Sequence, residues 1–71
     1  MDAKTIHERL EREISRKESA MREAQSLQTK AFLSSDIETM AELSGDLLAG
    51  CIEPKYVVDR CRIEFDIDLA A

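Results

Sequence analysis

Apolar positions recur along this chain with two different periods, and the change of period divides it into parts. Residues 3–31 contain neither Gly nor Pro. A seven-residue frame sets His7, Ile14, Met21 and Gln28 at one seam position and Ala3, Leu10, Lys17, Ala24 and Ala31 at the other, with Ile6, Ala20 and Leu27 widening the stripe. The opposite face is charged. Glu8 with Arg12, Glu13 with Lys17 and Glu18 with Arg22 stand four apart in the favourable order, each adding roughly 0.2–0.5 kcal/mol to a helix. The pattern predicts one long helix over residues 3–31, about 43 Å at about 1.5 Å per residue.

A second helical period begins after "FLSS". Ser35 and Glu38 have capping-box spacing, Asp36 falls in the first turn where the helix dipole favours an anion, and Gly50 stands where a helix stops. Ile37, Met40, Ala41, Leu47, Leu48 and Cys51 keep helical spacing, with Ser44 completing the row and Gly45 a weak point. This predicts a helix over residues 36–49, folded back on the first because a short helix–helix connection imposes an antiparallel hairpin.

The last stretch, "CRIEFDIDL", alternates strictly. Cys61, Ile63, Phe65, Ile67 and Leu69 oppose Arg62, Glu64, Asp66 and Asp68. That is the period of a strand, and a strand within residues 55–69 would find its partner in a second copy or in the edge of a target protein. The alternative is a third helix opened by Pro54, with Val57 or Val58, Cys61, Phe65 and Leu69 in its stripe and Ile63 and Ile67 off it. The fold class expected is therefore mainly α: a long antiparallel helical hairpin with a C-terminal strand, in one small domain over residues 1–71.

Helix length adds an expectation about assembly. A second helix of about 14 residues covers about 21 Å, leaving Ile6, Leu10 and Ile14 bare. Burying such a side chain is worth roughly 1.5–3 kcal/mol, and small domains are marginal without help. Either the C-terminal segment turns back onto these residues or a second chain covers them. A homodimer is expected, joined along Ile6, Leu10, Ile14, Lys17 and Met21, with Lys17 and Gln28 as polar seam residues that fix register or, for Lys17, a side chain that snorkels at the seam edge.

Composition fits a folded, helix-rich chain: 44% hydrophobic, 35% charged, two Gly and one Pro. Few aromatics, one Tyr and two Phe, leave the core to aliphatic side chains. No apolar run is long enough to span a bilayer, and the N-terminal stretch "MDAKTIHERLERE" is too charged for a signal peptide, which points to the cytoplasm. Cys51 and Cys61 then read as reduced small hydrophobes, with a disulfide between them the other possibility.

Charge is unevenly spread. Residues 1–35 carry seven Lys/Arg and six Asp/Glu, whereas residues 36–71 carry three and nine. An acidic chain disfavours direct contact with nucleic acid or anionic lipid, because cationic side chains supply most of that affinity. Catalytic chemistry is sparse. His7, Cys51 and Cys61 lack metal-ligand spacing, no Gly-rich phosphate loop exists, and alternation puts Glu64, Asp66 and Asp68 together on a solvated face. No enzyme activity and no cofactor are expected.

The functional expectation is a non-catalytic protein–protein interaction module. It would be a small cytoplasmic adaptor, inhibitor or regulator, of the kind an antitoxin or a secretion chaperone provides, engaging its target through Ile63, Phe65, Ile67 and Leu69. The alternative is an acidic mimic of nucleic acid, presenting Glu53, Asp59, Glu64, Asp66 and Asp68 to a nucleic-acid-binding protein. The final residues, Leu69, Ala70 and Ala71, resemble the C-terminal degradation tag that bacteria add to stalled polypeptides. That resemblance implies a chain degraded in bacterial cells while its end is accessible and protected once a partner covers it.

Overall fold

The computed structural model describes residues 2–71 and folds them as three helices: α1, Ala3–Glu23; α2, Leu27–Leu48; and α3, Pro54–Phe65. No strand occurs among the described residues. Asp2 opens α1 by accepting the Thr5 backbone N–H at 2.8 Å, which satisfies one of the orphan donors of the first turn.

The expected long helix over residues 3–31 is instead two helices. Ala24 leaves the helix with φ −67° and ψ 137°, and Ser26 caps α2 by accepting the Thr29 N–H at 3.4 Å. The reversal occupies residues 24–26, so "FLSS" is helix rather than loop. Ser35 therefore opens nothing: it lies inside α2, where its carbonyl accepts the Thr39 hydroxyl at 3.2 Å. The physical reason is burial. With the turn at residues 24–26 the two helices are 21 and 22 residues long and about 32 Å each, so α2 runs the whole length of α1.

That change of turn removes the reason for the expected dimer seam. Ile6 and Leu10 are fully buried within one chain and Ile14 is 7% exposed, packed with Met40, Leu43, Leu47, Val57, Cys61 and Leu69 in a single core. The register agrees at two levels of the hairpin, where Lys17 meets Asp36 and His7 meets Ser44.

The α2 terminus does stop at Gly50. Gly50 adopts φ 77°, its N–H bonds the Leu47 carbonyl at 3.2 Å, and the Cys51 N–H reaches back to the Asp46 carbonyl at 2.9 Å. This pair of bonds closes the helix end and needs a residue free to take positive φ.

Residues 61–69 are not a strand, and the third helix accounts for most of them. Pro54 sits at the first position of α3, and Val57 and Cys61 face the core from it. A lone strand leaves its ladder groups to water, whereas a helix bonds its own backbone, so the isolated segment coils. Asp66 ends α3 in the left-handed region at φ 55°, and the Ile67 N–H returns to the Cys61 carbonyl at 3.1 Å. The chain then turns onto α1, where Leu69 is buried at 2% exposure and Arg9 Nη1 donates to the carbonyls of Leu69 at 2.7 Å and Ala71 at 2.9 Å. The accessible ending that the degradation-tag resemblance requires is thus packed on α1 at its leucine.

Candidate interaction surface at the hairpin tip

The third helix is short, and this sets where the surface differs from the core. Twelve residues give α3 a length of about 18 Å, half that of the hairpin it packs against. Among residues 18–35 none is buried; Met21, Ala24 and Leu33 are half-buried and the others exposed. The hairpin tip therefore projects beyond the three-helix core. The radius of gyration, 12.2 Å against about 11 Å for a compact chain of this length, and the 37 × 23 × 18 Å envelope express the same projection.

The border between core and tip is built from Lys17. Its ammonium lies 3.5 Å from the Asp36 carboxylate on α2 and 5.9 Å from the Phe65 ring centroid on α3. One side chain thus touches all three helices. The seam lysine bridges α1 and α2 within the chain, while Gln28, also assigned to the seam, is exposed on the tip.

Two faces of α2 follow from helical spacing. Leu33, Ile37, Met40, Ser44 and Leu47 recur at three- and four-residue steps and face inward. Gln28, Ala31, Phe32 and Ser35 recur the same way on another face, where they line a broad, open depression of about 380 Å³. Phe32 is 66% exposed and neighbouring Leu27 is 85% exposed. Charge is almost absent here: Lys30 is the single charged residue between positions 24 and 35, in a chain that is 35% charged. Depletion of charge around exposed aromatic and aliphatic side chains is the composition of an interface centre rather than of ordinary surface.

The other sequence-predicted site residues are dispersed. Ile63 is 82% exposed on α3, isolated between Arg62 and Glu64; Phe65 and Ile67 are half-buried; Leu69 belongs to the core. The expected C-terminal binding strand is therefore replaced by one exposed side chain and three packed ones. The acidic face is partly neutralised within the chain. Arg60 Nη2 donates to both Glu64 carboxylate oxygens at 2.9 and 2.8 Å, and Arg62 reaches Asp68 at 3.2 Å and Asp59 at 4.0 Å. Asp68 also accepts the Ala70 N–H at 3.0 Å, and this bond, with Arg62 second, holds its carboxyl below the ordinary value.

One polar cluster sits at the edge of the core. Ser44, 3% exposed, lies 2.8 Å from His7 Nδ1 and 3.1 Å from Glu11 Oε1. A hydroxyl has one proton; donated to the Glu11 carboxylate, it leaves Ser44 Oγ to accept from His7 Nδ1–H. Serine, histidine and glutamate are therefore together, with His7 Nε2 also 3.9 Å from Glu11 Oε1, but with the hydroxyl donating to Glu11 the imidazole does not take its proton, and the oxygen is shut from solvent. That order makes a satisfied bridge between α1 and α2 rather than an activated nucleophile. The cysteines are both free: Cys51 exposed, Cys61 buried, with burial pushing the Cys61 thiol up to about 11. Among the described residues no group of three or more His, Cys, Asp or Glu is arranged to hold a metal ion, and no helix is long and apolar enough to cross a membrane.

Comparison with protein-family models, curated proteins and solved structures returns no match to this chain. Sequence reasoning missed the tip because it took residues 32–35 as a loop. The signal was present as a run of twelve residues with one charge, "AQSLQTKAFLSS".

Proposed function

We propose that this chain is a non-catalytic protein-binding module, an adaptor, inhibitor or regulator acting in the cytoplasm, and that it binds through the tip of the α1–α2 hairpin. The observation that carries the reading is the exposure of Leu27 and Phe32 within a nearly charge-free stretch that the three-helix core does not need. Such residues supply the desolvated anchors of an interface, where a few side chains dominate the binding energy. The nucleic-acid mimic is the second reading: Asp59, Glu64 and Asp68 already face Arg60 or Arg62, which leaves Glu53 and Asp66 as the members of that acidic set without an ion pair among the described residues.

The test compares the intact chain with a Leu27→Asp, Phe32→Asp double variant as bait in extract of the native host. Proteins retained by the first and lost by the second, at unchanged helix content, are the expected result. Capture that survives the double variant but falls steeply between low and moderate salt would favour the charge mimic instead.

A further inference from the structure

Helical spacing joins the tip to a second feature of α2. Leu27, Ala31, Ser35, Glu38, Glu42 and Asp46 follow one another at steps of three and four, so they form one exposed stripe down the helix, with Phe32 beside its tip half. The tip half carries no charge. The other half is anionic, and none of Glu38, Glu42 and Asp46 is ion-paired among the described residues. We infer that this stripe receives an amphipathic helix of another protein, apolar where it covers Leu27 and Phe32 and basic where it covers Glu38, Glu42 and Asp46. The inference rests on the tip being the binding surface and names the chemistry of its occupant.

Charge selects that occupant. Glu38, Glu42 and Asp46 stand four apart, where like charges repel and weaken a helix, so the fold gains nothing from the row. A cationic partner turns the same repulsion into attraction. The net charge of −5 acts in the same sense at longer range: it steers a basic segment in and holds off anionic surfaces and further copies of this chain. The ground beside the acids suits a long basic side chain. Glu42 and Asp46 line a shallow depression of about 130 Å³ together with Ile52 and Tyr56. A Lys or Arg stem covers apolar surface of this kind while its head stays with carboxylates. Arg60 borders the same depression but is engaged elsewhere, its Nη1 donating to Tyr56 Oη at 2.7 Å and its Nη2 to Glu64 at 2.8 Å.

The form of the partner follows from the backbone. No strand edge exists among the described residues, so an extended segment laid on α2 would leave its own N–H and C=O groups unpaired, whereas a helix bonds them internally. Glu38, Glu42 and Asp46 lie about 9, 15 and 21 Å along α2 from Phe32, at about 1.5 Å per residue. A helix packed at a shallow angle to α2 therefore carries its basic residues about two to four turns from its apolar anchor, on one face.

The probe is a synthetic helical peptide of about six turns, with Leu and Phe over its first two turns and Lys two to four turns beyond them on the same face. Titrated into the full chain and followed by amide chemical shifts, it moves the signals of Leu27, Ala31, Phe32, Glu38 and Glu42 in concert. A peptide with Glu in place of Lys leaves them still up to about 1 mM. Phe32→Asp weakens binding more than about tenfold. Glu38→Gln with Glu42→Gln weakens it about three- to tenfold at low salt, a difference that shrinks at high salt. Glu8→Gln with Glu18→Gln, the same change of net charge at exposed positions on α1, leaves it within about twofold. No binding of the Lys peptide at about 1 mM, equal binding of the Glu peptide, or equal losses from the two Gln pairs overturns the inference. If one of these is found while capture from host extract still depends on Leu27 and Phe32, the tip serves a partner of other chemistry and the reading above stands; if capture is independent of both side chains, both fall.

Discussion

Leu10→Ala asks whether one chain completes its own core. Leu10 is fully buried between α1, α2 and α3. The substitution removes three carbons, about 2.4 kcal/mol at ~0.8 kcal/mol per methylene, and a cavity that fails to collapse adds up to about 1.5 kcal/mol at ~24 cal/mol per Å³. The expected loss is therefore about 2.5–4 kcal/mol. A domain of this size has roughly 4–10 kcal/mol in all, so the variant falls close to the edge of folding, with Tm lower by about 10–25 °C. Urea unfolding followed by circular dichroism at 222 nm measures it. Done at about 5 and about 50 µM, the midpoint should not move with protein concentration. A loss under about 1 kcal/mol, or a midpoint that rises with concentration, refutes the reasoning: a second chain would then be finishing the core at Ile6, Leu10 and Ile14.

Three further outcomes follow from the polar groups and the thiols. Ser44→Ala leaves His7 Nδ1 and Glu11 without their shared partner and should cost about 1–2 kcal/mol in the same unfolding assay, while Ser35→Ala, at an exposed site on α2, should cost less than about 0.5 kcal/mol. Alkylation at pH 8, read by mass spectrometry, should label Cys51 in the folded protein and Cys61 only in denaturant, because Cys61 is buried and its thiol is pushed up to about 11. Asp68 has its carboxyl lowered from the ordinary 3.8, first by the Ala70 N–H and then by Arg62, so its contribution to stability is present above that value and is lost as pH falls through the lower folded one. A carboxyl titration by NMR should therefore find it below 3.8, and Arg62→Ala should raise it only part of the way back, since the backbone bond is the larger cause.

Helical content was legible in the sequence because its evidence is local: the 3.6-residue period, the Gly50 stop and, for the alternative third helix, Pro54 at a first turn. The turn between α1 and α2 was not, because two serines compete for it. Ser35 has the stronger local signal, with Glu38 three residues on, whereas Ser26 has only Thr29. Folding at Ser35 leaves Ile6, Leu10 and Ile14 facing nothing, and folding at Ser26 buries all three, a preference no short window contains. The strand expectation failed for a related reason. Alternation in residues 61–69 is equally compatible with a helix that ends at Asp66 and a tail that turns back, once Ile63 is allowed to face solvent. The exposed tip was hidden behind the same misplaced turn, and the Ser44 bridge to His7 and Glu11 behind the 37 and 33 residues separating the partners.

Lys17 gathers these points into one physical division. On one side of the Lys17–Asp36 pair every inward position is apolar or bonded, and α3 closes the third face; on the other side α3 has ended and two helices stand with no buried residue. Two helices alone cannot shield a core, so apolar side chains beyond that border contribute little to folding. Leu27 and Phe32 nonetheless stand there, where a glutamate or lysine would cost the fold nothing and improve solubility. Stability therefore gives no reason for those two residue types at those positions. The proposed contact with another protein surface would supply one, and because the tip and the core share few side chains, changes in residues 24–35 would alter that contact while leaving the three-helix end intact.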